Sequence, residues 1–375
     1  MKILHIITGL ENGGAEAVLY RLASGDSSDN HHEVISFMDQ GFYGEYLEDA
    51  GIKVHTLNMS RGKLTVKPLI ILYSLIRSIN PDVIQTWMYH ANLTGGFMAF
   101  LAGKKNIVWS IHHSNLDPNT TSRGTLLVNR ICSFISGVVP DKIICCSEQA
   151  AQVHVNVGYP LNKIVVVHNG IDDEKFIPNS EQRDKFHSEW NVRNDQVVLG
   201  MVARWDLNKD HKNLILALSN IKKNTSLYWK CVLVGQGINN SNMILMNLLK
   251  KYDVSENVIL LGVRDDVPAI LSALDLHILS SSGEAFGNAT IEAMSCGIPS
   301  IVTSVGAGQL IVGETGWVVP PSNPRVLSET IVQAITLMKD PKSWTTRKLQ
   351  CRERIIEKFT VEQMIDSYKR VWASL

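Results

Sequence analysis

The sequence has no excess of either charge sign. Its 375 residues include 36 Lys and Arg against 36 Asp and Glu, so the formal net charge at pH 7 is zero. A protein that binds nucleic acid through its overall charge carries a basic excess, which is missing here. We therefore expect no nucleic-acid partner, and we expect an anionic ligand to be met by a local group of cations.

Long apolar runs and cysteine pairs are also missing. The apolar run Ile3–Ile7 is broken by His5 and does not fit a secretory signal, while the stretches Leu69–Ile76 and Gly95–Ala102 are too short to span a bilayer. No Cys-x-x-Cys pair occurs, which indicates reduced thiols in a cytoplasmic protein. The cysteines are Cys132, Cys145, Cys146, Cys231, Cys296 and Cys351.

Metal-binding and nucleophile motifs are not found either. His112 and His113 are adjacent, so neither His-x-His nor His-x-x-x-His spacing occurs there, and the nearby sequence offers no cysteine or carboxylate pair to complete a site. There is no serine nucleophile elbow and no Walker loop. We therefore predict that the protein holds no metal.

The sequence does contain a repeated alternation of short β-branched runs and amphipathic segments. Strands such as Lys2–Ile7 and Ile107–Ile111 alternate with helices such as Ala15–Ala23, and the rhythm returns with Val197–Val202 and Leu276–Leu279. This pattern predicts an α/β protein with two facing, Rossmann-like, doubly wound domains. Ligands are expected in the interdomain cleft, at the carboxyl ends of the strands.

A polar stretch at 169–195 interrupts this rhythm. It contains Gly170, Pro178 and many charged residues, which is typical of a linker between domains. We therefore predict an N-terminal domain at 1–168, a linker region at 169–195 and a C-terminal domain at 196–355.

The segment Ser280–Pro299 carries the strongest functional signal. A predicted strand ends in a loop of small residues, and a helix is predicted to start near Asn288, so that Glu284 lies in the loop and Glu292 one turn inside the helix. The free amides at this helix start form an anion site, which the two carboxylates flank. Both glutamates could instead be solvated surface residues. The apolar neighbours of Glu292 favour a functional role, because a charge without a partner in apolar surroundings costs free energy.

Two cations follow the first strand of the second domain. Arg204 and Lys209 lie in a predicted strand-to-helix loop, from which they could reach a bound diphosphate. The alternative is a solvated basic loop, in which Asp206 and Asp210 pair with the cations.

Two features of the first domain give a weaker indication of function. Gly13 and Gly14 follow the first strand and could let the backbone approach a phosphate or a sugar, although a tight turn would use the same residues. His112 and His113 follow the strand Ile107–Ile111, where a neutral imidazole could hydrogen-bond a sugar or polarise the reacting groups. Because they are adjacent, we expect only one of them to point inward.

A basic segment precedes an apolar helix in the first domain. Arg61, Lys63 and Lys67 come before or at the start of the helix predicted at Pro68–Ile79. Such a helix could lie on an anionic membrane surface and bring the protein to a lipid-linked acceptor. The alternative is an ordinary helix that covers the sheet, which doubly wound folds require.

These segments together resemble the retaining glycosyltransferases of family four, which have the GT-B fold and include enzymes of bacterial surface polysaccharides. The segment Glu284–Met294 resembles the E-x7-E signature of that family. The similarity extends over nearly the whole chain, and its supporting parts are Gly13-Gly14, His168–Asp172, Arg204 with Lys209, Val234-Gly235 and Leu261–Val263.

The resemblance implies roles for individual residues. Arg204 and Lys209 would hold the donor diphosphate, Glu292 the ribose and Glu284 the transferred sugar. A first-domain histidine would contact that sugar, and we prefer His113 to His112 because Ser114 and Asn115 follow it as in related sequences. The other implied donor contacts are Gly13, Gly14, Gly235, Val263 near the base, and the backbone of Phe286, Gly287 and Asn288.

The resemblance also implies a reaction. A sugar would pass from a nucleotide diphosphate donor, a UDP-sugar, to a glycan or a polyprenyl-diphosphate-linked acceptor, with retention of configuration and with no metal or other cofactor. The residues 356–375 would form a helix that crosses back onto the first domain. The alternatives are a UDP-sugar epimerase of similar fold and a nucleotide-sugar-binding protein without turnover. Neither the sugar nor the acceptor follows from the sequence.

Overall fold

The computed structural model describes residues 1–60, 65–118 and 120–375. It divides into two compact units, of which unit 1 is Met1–Gly170 with Val361–Leu375, and unit 2 is Ile171–Thr360. None of the helices in the described ranges is both long and apolar enough to cross a membrane.

Unit 1 is a seven-stranded parallel sheet with helices on both faces. Its strand order is β3-β2-β1-β4-β5-β6-β7. The elements are β1 Lys2–Ile7, α1 Gly14–Gly25, β2 His31–Ser36, α2 Gly41–Asp49, β3 Lys53–Thr56, α3 Val66–Ile79, β4 Val83–Trp87, α4 Met88–Leu101, β5 Ile107–Ile111, α5 Arg123–Ile135, β6 Lys142–Cys145, α6 Glu148–Asn156 and β7 Ile164–Val166.

The strands of unit 1 are covered on both faces, which explains their continuous apolar sequences. Every residue of β4 and β5 is buried. Helix α4 packs directly on this sheet, since a Cβ at Gly95 would lie 2.8 Å from Ile6, and one at Gly96 would lie 2.4 Å from the ring nitrogen of Trp109. Helices α3, α4 and α5 pack side by side on this face, and α1 and α2 pack together elsewhere in the unit.

A helix from the far end of the chain completes unit 1. Helix α15, Val361–Ala373, packs on α1 and contributes Tyr368 and Trp372 to the core of the unit. The indole nitrogen of Trp372 donates to the side-chain oxygen of Gln85 at 2.9 Å. This buried bond ties α15 to the middle of the sheet.

A chain of buried hydrogen bonds also reaches α15. Trp87 donates to Nδ1 of His5 at 3.2 Å, so Nε2 of His5 carries a proton and donates to Nδ1 of His32 at 2.9 Å. His32 then donates through Nε2 to Asp26 at 3.1 Å, and Lys369 of α15 pairs with the same carboxylate at 2.8 Å. Burial lowers the pKa of His5 well below its ordinary value, and it also lowers the pKa of His32. The imidazole rings of His5 and His32 are therefore neutral.

Unit 2 repeats the plan with a six-stranded parallel sheet. Its strand order is β10-β9-β8-β11-β12-β13. The elements are α7 Ser180–Glu189, β8 Val197–Val202, α8 His211–Asn224, β9 Trp229–Val234, α9 Met243–Lys251, β10 Val258–Leu260, α10 Val267–Ser272, β11 Leu276–Leu279, α11 Asn288–Ser295, β12 Ser300–Thr303, α12 Gly308–Val312, β13 Trp317–Val319, α13 Pro324–Leu337 and α14 Pro341–Lys358.

The chain direction across the unit 2 sheet reverses between β8 and β11. From β8 the chain adds β9 and β10 on one side, and from β11 it adds β12 and β13 on the other. Such a switch point opens a crevice at the carboxyl ends of two neighbouring parallel strands, where ligands bind in open α/β sheets. A ligand-binding site is therefore expected at the loops that follow β8 and β11.

The predicted α/β class with two doubly wound domains is confirmed, but the bounds of the units differ from the predicted ones. The sequence predicts a linker region at 169–195, but residues 171–195 belong to unit 2 and contain α7. The returning segment begins at Val361 instead of 356, because α14 continues to Lys358 within unit 2.

Candidate functional site

The loops that follow β8 and β11 are bonded to each other. Backbone amides of Ser282 and Gly283 donate to the carbonyl oxygen of Asn208 at 2.8 and 3.2 Å. The hydroxyl of Ser280 donates to the carbonyl oxygen of Asp210 at 3.1 Å. These bonds hold the cation-bearing loop beside the glutamate-bearing loop at the switch point.

A direct ion pair joins the two loops. Nζ of Lys209 lies 2.5 Å from Oε2 of Glu284, and the two side chains are only 22% and 14% exposed. The hydroxyl of Ser281 donates to the same carboxylate oxygen at 3.2 Å. The sequence predicts that both residues lie at one donor site, but it predicts neither their pairing nor the contribution of Ser281.

Arg204 is the more exposed of the two predicted cations. Its guanidinium lies 3.3 Å from the carboxylate of Asp206, and its side chain is 56% exposed. Partial burial raises the pKa of Asp206, but the amide of Asn208 and the charge of Arg204 outweigh burial and keep the pKa below its ordinary value. Asp206 therefore stays ionised and orients Arg204.

Helix α11 begins at Asn288, as the sequence predicts, and places Glu292 in its second turn, where it is partly buried. The preceding residue, Gly287, has a φ of 106°, which favours glycine. The hydroxyl of Thr290 is buried in the first turn and has no hydrogen-bond partner in the described part of the chain. This helix start thus presents amides that suit an anionic ligand.

Local packing explains why a phenylalanine stands at position 286 and a glycine at position 235. The side chain of Phe286 is buried against Phe359, with ring centroids 5.9 Å apart, so only its backbone could meet a ligand. Gly235 has a φ of 143°, and a Cβ there would lie 2.4 Å from the carbonyl oxygen of Ala203. Gly235 thereby lets the loop after β9 approach the loop after β8. Val263, after β10, is 61% exposed.

Gly306 supports the loop of Glu284 and was not predicted from the sequence. It follows β12 with a φ of 59°, and a Cβ there would lie 2.3 Å from the carbonyl oxygen of Glu284. The only sequence signal is a glycine shortly after a strand, which many turns share.

Replacing Gly306 with alanine is expected to lower kcat/KM by about 10²-fold, because the clash displaces the backbone of Glu284 by a large fraction of an ångström. Steady-state kinetics would measure the change. Gly51→Ala is the matched control, since Gly51 also has a positive φ, of 79°, but a Cβ there meets nothing within 4 Å. Equal activity of the two variants would contradict the role given to Gly306.

The predicted residues of unit 1 lie at the carboxyl ends of β1 and β5. Gly14 is the first residue of α1, and Gly13 precedes it with a φ of −134°, so glycine is not required there by backbone strain. A Cβ at Gly13 would instead lie 2.3 Å from the carboxylate of Glu16.

The two adjacent histidines have different surroundings. The ring of His112 stacks on Trp87 at 5.4 Å between centroids, and both of its ring nitrogens are buried without a hydrogen-bond partner among the described residues. Burial lowers the pKa of His112 to about 4. His113 packs edge-on against Tyr89 at 6.0 Å, and its Nε2 lies 3.5 Å from the hydroxyl of Thr121. The preference for His113 over His112 remains a prediction.

Arg204, Lys209, Glu284 and the start of α11 thus all lie at the carboxyl ends of the strands of unit 2. No cluster of His, Cys, Asp and Glu that could hold a metal occurs within the described ranges. The cysteines are buried and form no disulfide, and burial raises the pKa of Cys132, Cys145, Cys231 and Cys296 to about 12.

Two family models match the chain. The model for glycosyl transferases group 1 matches residues 182–350, which include every site residue named in unit 2. The model for Glycosyltransferase Family 4 matches residues 12–175, which include Gly13, Gly14 and both adjacent histidines.

Curated relatives extend over most of the chain. One is an Escherichia coli UDP-Gal:alpha-D-GlcNAc-diphosphoundecaprenol alpha-1,3-galactosyltransferase, 26% identical over 90% of this chain and 87% of its own. Another is the N,N'-diacetylbacillosaminyl-diphospho-undecaprenol alpha-1,3-N-acetylgalactosaminyltransferase of Campylobacter jejuni, 27% identical over 73% of this chain and 74% of its own.

Solved structures share the whole fold. The crystal structure of Anabaena HepE in complex with UDP-glucose has a TM-score of 0.86 at 23% identity, with both chains covered completely. The lipopolysaccharide glycosyltransferase WaaG has a TM-score of 0.77 at 16% identity, with 99% of each chain covered. At this identity the likeness shows the fold alone.

Proposed function

The chain is a glycosyltransferase of family 4 with the GT-B fold, and we propose that it moves a sugar from a UDP-sugar to a polyprenyl-diphosphate-linked acceptor with retention of configuration. The product would be an intermediate of a bacterial surface polysaccharide, such as lipopolysaccharide. The comparisons favour this transfer over the epimerase and binding-protein alternatives that the sequence left open.

The Lys209–Glu284 pair beside the start of α11 is the observation that carries the proposal. A diphosphate that leaves the sugar gains negative charge, which a cation and oriented amides stabilise best in a partly desolvated place. Lys209 is held in such a place by Glu284, and Arg204 adds a second cation that Asp206 orients. These groups would stabilise the leaving group without a divalent ion.

The carboxylates and the histidines complete the proposed roles. Glu284 would accept hydrogen bonds from hydroxyls of the transferred sugar, and Glu292 from the ribose. The backbone of Phe286, Gly287 and Asn288 would line the diphosphate, with Gly13, Gly14 and Gly235 giving close backbone approach and Val263 contacting the base. An imidazole of unit 1, that of His113 or His112, would bond the transferred sugar.

The relatives support the donor and the acceptor. HepE has been crystallised with UDP-glucose, and the two curated relatives are named for a hexosyl and an N-acetylhexosaminyl transfer to undecaprenol-linked acceptors. A hexose or an N-acetylhexosamine is therefore the proposed sugar.

We also propose that the protein works in the cytoplasm, as a peripheral protein on the inner surface of the membrane. A lipid-linked acceptor is confined to the bilayer, so an enzyme that uses it must reach the membrane surface. In α3, Val66 and Ile70 are 72% and 61% exposed, while Leu72 and Ile76 are buried, so one helix both covers the sheet and exposes apolar residues. Arg61 and Lys63 of the predicted basic segment lie outside the described residues.

The direct test is a donor screen. UDP-sugars and GDP-sugars would be incubated with the protein and a pool of lipid-linked acceptors, and nucleotide release and the lipid product would be measured. The proposal expects UDP release that depends on the acceptor, with an α-linked product from an α-linked donor. An epimerised sugar formed without acceptor, or donor binding without any product, would overturn it.

The Arg204→Ala and Glu292→Ala variants should each weaken UDP binding by about tenfold, because each loses a hydrogen bond that involves a charged group. Isothermal calorimetry with UDP would measure the affinity. Lys212→Ala, an exposed residue of the same segment, is the control and should bind UDP normally. Wild-type affinity in both variants would contradict the assigned donor clamp.

A further inference from the structure

Helices α4 and α5 of unit 1 present an apolar surface to solvent. On α5, Cys132 and Asn129 face inward, while Leu127, Ile131 and Phe134 recur at helical spacing on the outer side. Phe134 is 89% exposed, and Val138, one turn further on, is 69% exposed. Large apolar side chains at such exposure are unusual when several stand together.

The neighbouring helix continues this surface. Helix α4 packs on α5, and its inner side contains the glycines that contact the sheet. Its last turns expose Phe97, Phe100 and Leu101 on the outer side. We define the α4–α5 face as Phe97, Phe100, Leu101, Ile131, Phe134 and Val138.

The charges around the α4–α5 face are almost all positive. Lys104 and Lys105 follow α4, and Arg130 lies one turn before Phe134 on α5. Lys163 donates to the carbonyl oxygens of Gly137 and Pro140 at 2.8 and 2.7 Å, on either side of Val138. Burial and the nearby charge of Arg77 lower the pKa of Lys104, so the end of α3 adds another cation here.

The acidic residues nearby are few, and the charge of Asp82 acts on Lys104. Between positions 60 and 140 only Asp82 and Asp117 are acidic, in a chain whose overall charge is zero. The carboxylate of Asp82 accepts the amide of Lys2 at 2.7 Å, and that of Asp141, just beyond, accepts the amide of Ile107 at 3.1 Å. The cations of this region are therefore not neutralised by a matching set of carboxylates.

We propose that the α4–α5 face is the main membrane-docking surface of the protein and that it binds an anionic phospholipid bilayer. Aromatic and aliphatic side chains enter the boundary between headgroups and acyl chains, and the surrounding Lys and Arg side chains pair with anionic headgroups. A second copy of the chain fits less well, because this face would bring two cationic rims together. The inference rests on the proposed use of a lipid-linked acceptor and assigns the main contact to α4 and α5, beside the exposed apolar residues of α3.

The test is sedimentation of the full chain with vesicles of equal parts phosphatidylglycerol and phosphatidylethanolamine, which contain no acceptor. Phe100→Ser/Phe134→Ser should lower the bound fraction at least about tenfold, because two aromatic side chains lose their burial. Vesicle binding should also weaken in the triple variant Lys104→Gln/Lys105→Gln/Arg130→Gln. At low salt, the loss of affinity should be about fivefold for each charge removed. Vesicles of phosphatidylcholine alone should bind poorly.

Matched controls lie on unit 2. Met243→Ser/Ile244→Ser removes apolar residues that are 64% and 66% exposed, and Lys339→Gln/Lys342→Gln/Lys358→Gln removes the same number of exposed charges. Both controls should bind vesicles like the wild type. Circular dichroism and UDP affinity should be unchanged in all variants.

Several outcomes would overturn the inference. Wild-type vesicle binding by both α4–α5 variants would exclude this face, and release by Ile70→Ser/Ile71→Ser alone would move the contact to α3. A dimer in light scattering that Phe100→Ser/Phe134→Ser converts to a monomer would make the face an interface between copies. Normal vesicle binding without sugar transfer would refute the proposed function and leave the docking surface standing.

Discussion

Replacing Lys209 with alanine is expected to lower kcat/KM by about 10²- to 10³-fold, the loss that follows removal of one group that stabilises developing charge. The ammonium lies between a partly buried carboxylate and the place we assign to the donor diphosphate. Its removal takes away a cation and leaves negative charge from Glu284 near a negative leaving group. Steady-state kinetics with the donor found in the screen would measure the effect.

Two variants separate the possible causes of that loss. Lys212→Ala removes an exposed cation three residues away and should keep full activity. Glu284→Gln keeps the shape of the side chain but not its charge, so it should lower kcat while UDP affinity changes by less than about threefold. If Lys209→Ala retains a third of wild-type kcat/KM, the ammonium has no role at the diphosphate.

Unfolding of the protein is expected to take up at least about three protons at pH 5.5, so stability should fall steeply as the solution is acidified below pH 6.5. Burial lowers the pKa of His112, His154 and His211 to about 4 and that of His277 to about 3. An unfolded histidine has a pKa of about 6.5. Between these values the unfolded chain binds protons that the folded chain does not.

The sign follows from this difference in bound protons. Stability rises with pH wherever the unfolded state binds more protons, so acidification from pH 6.5 towards 4 removes about 1.4 kcal/mol per pH unit for each such histidine. The carboxyl of Asp26 acts in the same direction at lower pH. Partial burial raises its pKa, but the bonds from Lys369, Ser28 and Asn30 more than offset this and keep the pKa well below normal.

Calorimetry of unfolding in two buffers of different ionisation enthalpy would measure the proton uptake. Near pH 7.5 the net uptake should be close to zero, because most of the histidines are then neutral and most of the thiols protonated in both states. His154→Gln should remove about one proton from the uptake at pH 5.5, since His154 is buried and bonded to Tyr89 at 2.7 Å. An uptake below one proton for the wild type would show that these rings are charged in the folded protein.

The strands were predictable because parallel, doubly covered strands have short, continuous, β-branched sequences. The predicted bounds of β1, β5, β8 and β11 agree with the structure. Helix α7 was not predicted, because Phe186 is its only buried residue and a polar helix has no apolar period to detect. Helix α2 was missed for a related reason, since Gly41 and Gly44 are typical of a turn.

At the candidate site, residue types were predictable and pairings were not. The position of Glu292 inside α11 follows from a helix that starts at Asn288, which is local information. The Lys209–Glu284 pair joins residues 75 positions apart, and it depends on β8 and β11 being neighbours in the sheet. Gly306 depends on the same topology, because its contact with the loop of Glu284 exists only once β12 lies beside β11.

The return of α15 to unit 1 has a consequence for synthesis on the ribosome. The segment Val361–Leu375 supplies Met364, Ile365, Tyr368, Val371 and Trp372 to a core whose other buried members come from the first 170 residues. All of unit 2 must be translated before that core can close, so unit 2 can finish folding first although it comes later in the chain. The apolar groove that α15 fills in unit 1 therefore stays uncovered while the almost 200 residues of unit 2 are translated.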